Sequence, residues 1–154
     1  MKILMVCLGN ICRSPLAEGI LKNKVKQYKL DWQVDSAGTG AYHVGQQPDP
    51  RSQAVAKKYG LDISIQRARQ FTASDFDEFD LIFAMDRSNK GNILALATTQ
   101  EQREKVHLIL EFTGAADHNV PDPYWDDDGF EQVYQMLDQA CSLLPGIVEE
   151  RVSH

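Results

Sequence analysis

The sequence predicts an α/β protein, a three-layer α/β/α sandwich built on a four-stranded parallel sheet. Three observations carry this. Short apolar runs of strand formers alternate with longer segments of helical periodicity along the whole chain. The first run, Lys2 to Cys7, is apolar at nearly every position, which suits a strand covered on both faces. The segment after it, Leu8-Gly-Asn-Ile-Cys-Arg13, carries a glycine and an asparagine that permit a tight curl before a helix start.

In chain order, Lys2 to Cys7 is the first strand. Ser14-Pro15 opens a helix, with Ser14 as N-cap, Pro15 at the first helical position and Glu18 near the first turn. Leu16, Ile20 and Leu21 form its buried stripe; Lys22, Lys24, Lys26 and Lys29 gather at its end, where cations suit the helix dipole. Trp32 to Ala37 reads as a second strand, and the glycines and prolines of 38–50 as a loop. Asp49-Pro50 begins a helix that stops at Gly60. Phe79 to Met85 is the third strand, with Asp86 to Ala97 helical behind it, and Lys105 to Leu110 the fourth. A loop spans Gly114 to Gly129. The closing helix runs from Phe130 to Leu144, with Phe130, Val133, Met136 or Leu137, Ala140 and Leu144 near one face and a capping box at Asp128-x-x-Glu131.

The chain has 154 residues, 43% of them hydrophobic, and no repeat or low-complexity linker, so a single domain over 1–154 is expected. Sixteen Lys plus Arg against 22 Asp plus Glu give a net charge of −6. No global positive field exists to draw nucleic acid or an anionic membrane. No apolar stretch approaches the roughly 18 residues of a membrane span, and Met1 to Leu8 lacks the features of a signal peptide. Three cysteines are too few for a disulfide scaffold. A cytoplasmic protein with reduced thiols is expected.

The segment from Cys7 to Ser14 carries the chemistry. A loop between a strand and a helix start turns backbone N–H groups inward, and the helix adds partial positive charge. Leu8, Gly9, Asn10, Ile11, Cys12 and Arg13 would thus form an anion cradle, a phosphate-binding loop. The Arg13 guanidinium matches two phosphate oxygens. Cys7 sits where the same dipoles would stabilise a thiolate, an activated nucleophile beneath a bound phosphate. A lone cysteine at a strand end is ordinarily a small core residue. The strand before it, and Arg13, Ser14 and Pro15 after it, favour the functional reading. An alkoxide or phenoxide leaving group needs a proton, and Asp122 in Val120-Pro-Asp-Pro-Tyr-Trp125 is the best candidate acid. Its flanking prolines hold it in an extended turn, and Tyr124 and Trp125 could wall an aromatic pocket. A lone acidic Asp-Pro is ordinarily a solvated loop; beside the Cys-Arg loop it gains meaning.

Other chemistries lack their patterns. Asp126-Asp-Asp-Gly129 does not align with a calcium loop, whose first and twelfth positions would be Tyr124 and Gln135. The histidines at 43, 107, 118 and 154 pair with no cysteine at zinc spacing. No G-x4-G-K-[ST] occurs. Neither metal nor cofactor is expected, because the loop and Arg13 supply the positive field.

The chain resembles the low-molecular-weight protein tyrosine phosphatases along nearly its whole length. The matching blocks are Val6-Cys-Leu-Gly-Asn-Ile-Cys-Arg-Ser-Pro-Leu-Ala-Glu18, Asp35-Ser-Ala-Gly-Thr-Gly40, Pro48-Asp-Pro-Arg51, Ala68-Arg-Gln70, Ala84-Met-Asp-Arg-Ser-Asn89 and Asp122-Pro-Tyr-Trp125. The resemblance implies hydrolysis of phosphotyrosine on proteins or peptides, with inorganic phosphate as product. Cys7 would form a phosphocysteine, Arg13 would hold the phosphate, and Asp122 would protonate the leaving phenolate and then activate water. Ser14 would donate to the Cys7 thiolate, while Asn10 and Ser36 would brace the loop. Tyr42, Tyr124 and Trp125 would be pocket walls, with Leu8 at the rim. Cys12 would pair reversibly with Cys7 against over-oxidation, and Cys141 would be buried and passive. The family is mostly monomeric with weak self-association.

One departure is Gln66, where the family often has a histidine in the bracing network. An amide keeps hydrogen bonding but carries no charge, so the network is expected to persist in modified form. Arsenate reductases of this fold need further cysteines that the chain lacks. Arginine phosphatases of the family carry Thr where Ile11 stands, and the larger apolar side chain disfavours phosphoarginine. A silent phosphate-binding module or a phosphocysteine carrier would have no use for Asp122.

Overall fold

The structure, a computed structural model, describes residues 1–152, with side chains through residue 150. The strands are β1 (Lys2–Cys7), β2 (Gln33–Gly38), β3 (Leu81–Ala84) and β4 (Val106–Leu108). The helices are α1 (Arg13–Gln27), α2 (Pro50–Lys58), α3 (Asp75–Glu78), α4 (Arg87–Leu94), α5 (Gln100–Glu104) and α6 (Gly129–Val152). All strand pairs are parallel, in the order β2-β1-β3-β4. This is the three-layer sandwich on a four-stranded parallel sheet that the sequence predicts.

Alternation along the strands separates two cores. Ile3, Met5 and Phe83 face the layer of α1, α2 and α6; Leu4, Val6, Ile82 and Ala84 face Phe71, Phe76, Phe79 and Ile93 on the other side. Both faces are covered, which is why β1 reads as unbroken apolar sequence. The chain leaves β1 first toward β2 and later returns to β3 on the opposite side. The crevice at the carboxyl ends of β1 and β3 is therefore the switch point of the sheet, where ligands bind in such folds.

Several boundaries differ from the sequence reading. Helix α1 begins at Arg13 with Cys12 in the cap position, so Ser14 is not the N-cap; its hydroxyl is committed elsewhere. Lys22 and Lys24 pair with Glu18 and Asp138 rather than serving only the helix end. The capping box at α6 does not form: Glu131 turns to Lys58 and the Tyr59 hydroxyl. Helix α6 does not stop at Leu144 but continues through Pro145 to Val152. An interior proline costs about 3 kcal/mol, and the continuation is what carries Val148 into a buried position. Helices α3 and α5 are short turns without a sequence period long enough to show. Strands β3 and β4 are correspondingly shorter than expected. No described helix is long and apolar enough to cross a membrane.

Candidate active site

The loop from Leu8 to Cys12 leaves β1 and curls into α1. Asn10 takes a left-handed conformation, φ 58°, tolerated by asparagine better than by most residues. The end of β2 comes so close that a Cβ on Gly38 would lie 2.8 Å from the Leu8 carbonyl oxygen. Outside donors hold the loop's carbonyls. Thr39 N–H donates to Cys7 O and Gly40 N–H to Leu8 O, each at 2.9 Å; Asp49 N–H donates to Ile11 O at 2.8 Å. The Ser52 hydroxyl donates to Cys12 O at 3.3 Å. With carbonyls drawn outward, the peptide N–H groups are left for the concave side. The Cys12 side chain makes no capping bond at the head of α1, which leaves the first-turn amides open to an anion.

Side chains brace the curl from behind. Asn10 Nδ2 donates to Ser14 Oγ at 2.8 Å and to Ser36 Oγ at 2.9 Å. The Arg69 amide donates to Asn10 Oδ1 at 3.0 Å, which fixes the orientation of the Asn10 amide. Ser36 in turn donates to the buried carboxylate of Glu18 at 2.6 Å. Because Ser14 Oγ accepts from Asn10, its own proton is available to Cys7 Sγ, 3.0 Å away, with the Ala37 carbonyl a poorer acceptor at 3.5 Å. Gln66 is not among the partners of Asn10. Its amide donates to the Pro15 carbonyl at 3.1 Å, and its Oε1 is buried with no hydrogen-bond partner among the described residues.

Arg13 is buried, 2% exposed. Its Nη1 donates to Asp86 Oδ2 at 2.6 Å and to the Val120 carbonyl at 3.0 Å, and Nη2 lies 3.8 Å from Asp122 Oδ2. Burial alone would lower the guanidinium's pKa; Cys7, Asp86 and Asp122 outweigh it and raise it. Asp122 is extended, as its flanking prolines require, and Oδ1 accepts from the Tyr124 amide at 3.1 Å.

Cys7, Arg13 and Asp122 share one cleft of about 330 Å³, whose walls include Leu8, Tyr42, Tyr124 and Trp125. Tyr42 is 74% and Trp125 87% exposed, so the walls stand open to solvent. Gly9, Ile11 and Cys12 line the floor. Cys12 is buried and its thiol is pushed up to about 12, chiefly by burial and then by Asp49. All three cysteines are free, and Cys141, fully buried, is pushed up further by the same cause.

Four participants escape sequence reasoning. His43 lines the cleft and packs over Gly9, where a Cβ would sit 3.0 Å from its Cδ2. Asp86 caps α4 through Oδ1 while holding Arg13 through Oδ2; its only signal is a capping residue at the carboxyl end of β3. Glu18 signals itself only as a carboxylate one turn beyond Ser14, within a buried stretch. Arg51 binds Asp49, Asp127 and the Tyr124 carbonyl, a set that only the folded chain assembles.

Fold and cleft together define an α/β anion-binding domain with a cysteine at the base of the cradle and an arginine beside it. The chain matches the family model for low molecular weight phosphotyrosine protein phosphatase over residues 2–153. It belongs to that family, and as a member it is a phosphoric monoester hydrolase. Relatives span it nearly whole. A low molecular weight phosphotyrosine protein phosphatase of Schizosaccharomyces pombe is 44% identical over 152 residues, covering 95% of this chain and 96% of the relative. A protein tyrosine phosphatase crystal structure from Entamoeba histolytica superposes with a TM-score of 0.92 at 40% identity, covering 97% of each chain. A Drosophila arginine phosphatase superposes with a TM-score of 0.90 at 38% identity, covering 96% of this chain and 98% of that one.

Proposed function

We propose that this protein hydrolyses phosphotyrosine on proteins or peptides through a phosphocysteine on Cys7. The observation that carries the reading is the convergence of Cys7, Arg13 and Asp122 on one aromatic-walled cleft. The cradle amides and Arg13 bind the phosphoryl oxygens, and their fixed dipoles favour the charge of the transition state. The Cys7 thiolate attacks phosphorus. An S–P bond forms, the P–O bond to the ring breaks, and its electron pair leaves with the phenolic oxygen. Asp122 gives that oxygen its proton. The resulting carboxylate then takes a proton from water, which attacks phosphorus; the S–P bond breaks and its pair returns to sulfur. Ser14 stabilises that thiolate by donating to it, and inorganic phosphate leaves. No step calls on a metal or cofactor. The protein acts as a monomer with weak self-association in a reducing compartment, the cytoplasm, and Cys12 serves as the partner of an oxidised Cys7.

The test is phosphate release from a phosphotyrosine peptide in the presence of a chelator. Native protein releases phosphate; Cys7→Ser reduces release to background. Asp122→Asn loses about 10²–10⁴-fold. A fully reduced native protein that releases nothing, yet binds phosphate, overturns the enzyme reading in favour of a binding module. The similarity to an arginine phosphatase makes phosphoarginine the second substrate to try. Ile11 in the cleft lining favours the planar phenyl ring over the branched guanidinium; faster release from phosphoarginine reverses that preference.

A further inference from the structure

Arg51 lies at the start of α2, outside the phosphate cradle, yet it ties three parts of the site together. Asp49 grips its guanidinium from one side: Nε donates to Oδ1 at 3.0 Å and Nη2 to Oδ2 at 2.9 Å. Asp49 is itself fixed to the cradle, because its amide donates to the Ile11 carbonyl. On the other side, Nη2 donates to the Tyr124 carbonyl at 3.0 Å and Nη1 to Asp127 Oδ1 at 2.5 Å. The guanidinium carbon Cζ lies over the Phe130 ring, 4.6 Å from its centre, and over that of Tyr124 at 5.6 Å. The backbone of Tyr124 extends the path across its Cα, since the N–H of the same residue donates to the Asp122 carboxylate. A continuous path therefore runs from the cradle through Asp49, Arg51 and Tyr124 to the acid.

We infer that Arg51 is a positioning residue for proton transfer: it sets the reach of Asp122 to the leaving oxygen without touching the substrate itself. The fork geometry matters as much as the charge, because Asp49 and Tyr124 take donors that a lysine cannot present together. Burial would raise the Asp49 carboxyl, but hydrogen bonds from Arg51 hold it below the usual carboxylate range. The same bonds from Asp49, then Asp127, raise Arg51. The tie is thus charged on both sides throughout the neutral range.

This inference rests on the phosphatase reading and is tested by leaving-group dependence. A loosened acid harms substrates whose leaving group needs a proton and spares those whose phenol is strongly acidic. The quantity compared is kcat/KM, which reports formation of the phosphocysteine, for phenyl phosphate and for a nitro-substituted aryl phosphate; kcat also contains the breakdown step, in which Asp122 serves both esters alike as base. Arg51→Ala is expected to lose about tenfold or more on the first and under about threefold on the second, with Arg51→Lys between it and native protein. Asp127→Ala, at an 84% exposed side chain where folding is not at risk, shows the same selectivity to a smaller extent. In an Asp122→Asn background, Arg51→Ala adds no further selectivity, because the acid it places is gone. Equal losses on both substrates, in Arg51→Ala or in Asp127→Ala, overturn the inference and leave Arg51 a structural residue. So does a selectivity that persists without the Asp122 carboxyl. Native protein inactive on both esters overturns the phosphatase reading itself, which distinguishes the two failures.

Discussion

The two halves of the cleft are built in opposite ways. On the cradle side Asn10 and Arg13 are 2% exposed and Ser14 is fully buried, and each is bonded to two or more partners. On the acid side Asp122 has a 37% exposed side chain and Trp125 is 87% exposed. Here the ties are a 3.8 Å approach to Arg13, a local turn and the Arg51 bridge. On the proposed mechanism the contrast follows from what each half handles. The phosphoryl group has one shape and rewards donors fixed in advance. The leaving group varies, and an open aromatic wall accommodates it with little reorganisation of the core. Burial and hydrogen bonding are concentrated where that mechanism requires fixed geometry.

Apart from loss of the Asp122 carboxyl itself, substitutions on the cradle side should therefore have the largest effects. Arg13→Lys keeps the charge but not the fork, and should cost about 10²–10³-fold in kcat. It should also weaken inhibition by inorganic phosphate, measured by competition. If Lys serves as well as Arg, the planar bonds to Asp86 and Val120 carry no function. Ser14→Ala removes the donor to sulfur and leaves Asn10 short of an acceptor. A hydrogen bond to a charged group is worth about 1.5–3 kcal/mol, so kcat should fall about 10–100-fold. That loss should fall mainly on breakdown of the intermediate, read as a larger burst in rapid mixing.

At the open walls around Asp122 the expected changes are smaller. Trp125→Ala should raise KM for a phosphotyrosine peptide a few-fold and leave denaturant stability within about 0.5 kcal/mol. A large stability loss would show that this wall is part of the core after all. The smallest effect concerns Cys12 on the cleft floor. Its thiol is raised to about 12 by burial, then Asp49, while an unfolded thiol ionises near about 8.5. The folded state holds its proton longer, so this contribution is complete below about 8.5 and declines as pH rises toward about 12. Cys12→Ser should flatten the alkaline fall of stability in that window. An identical pH profile would contradict burial as the cause.

The same contrast explains what is legible in the sequence. Strand β1, the curl after it and the helix that follows can be read because one contiguous segment carries apolar pattern, turn residues and charge together. Cys7, Arg13 and Asp122 carry types and neighbours that define them locally. Ser14 reads as a cap because a serine before a proline satisfies two rules at once, and only the folded chain decides where its hydroxyl points. Asp86, Glu18 and Arg51 are silent because their partners lie 73, 18 and up to 76 residues away. Helix α6 outruns its predicted end because the burial of Val148 is a tertiary fact that Pro145 hides.

On the proposed route a phosphoryl group passes through Cys7, in the rigid half of the cleft. The direct measurement is acid quenching of Asp122→Asn during turnover of an aryl phosphate with an acidic phenol, followed by mass analysis of the peptides. The variant lacks the base that activates water, so a phosphoryl group on the Cys7 peptide should accumulate and be absent from Cys7→Ser. Steady phosphate release with an unmodified Cys7 peptide, or a phosphoryl group found on another residue, would contradict that route.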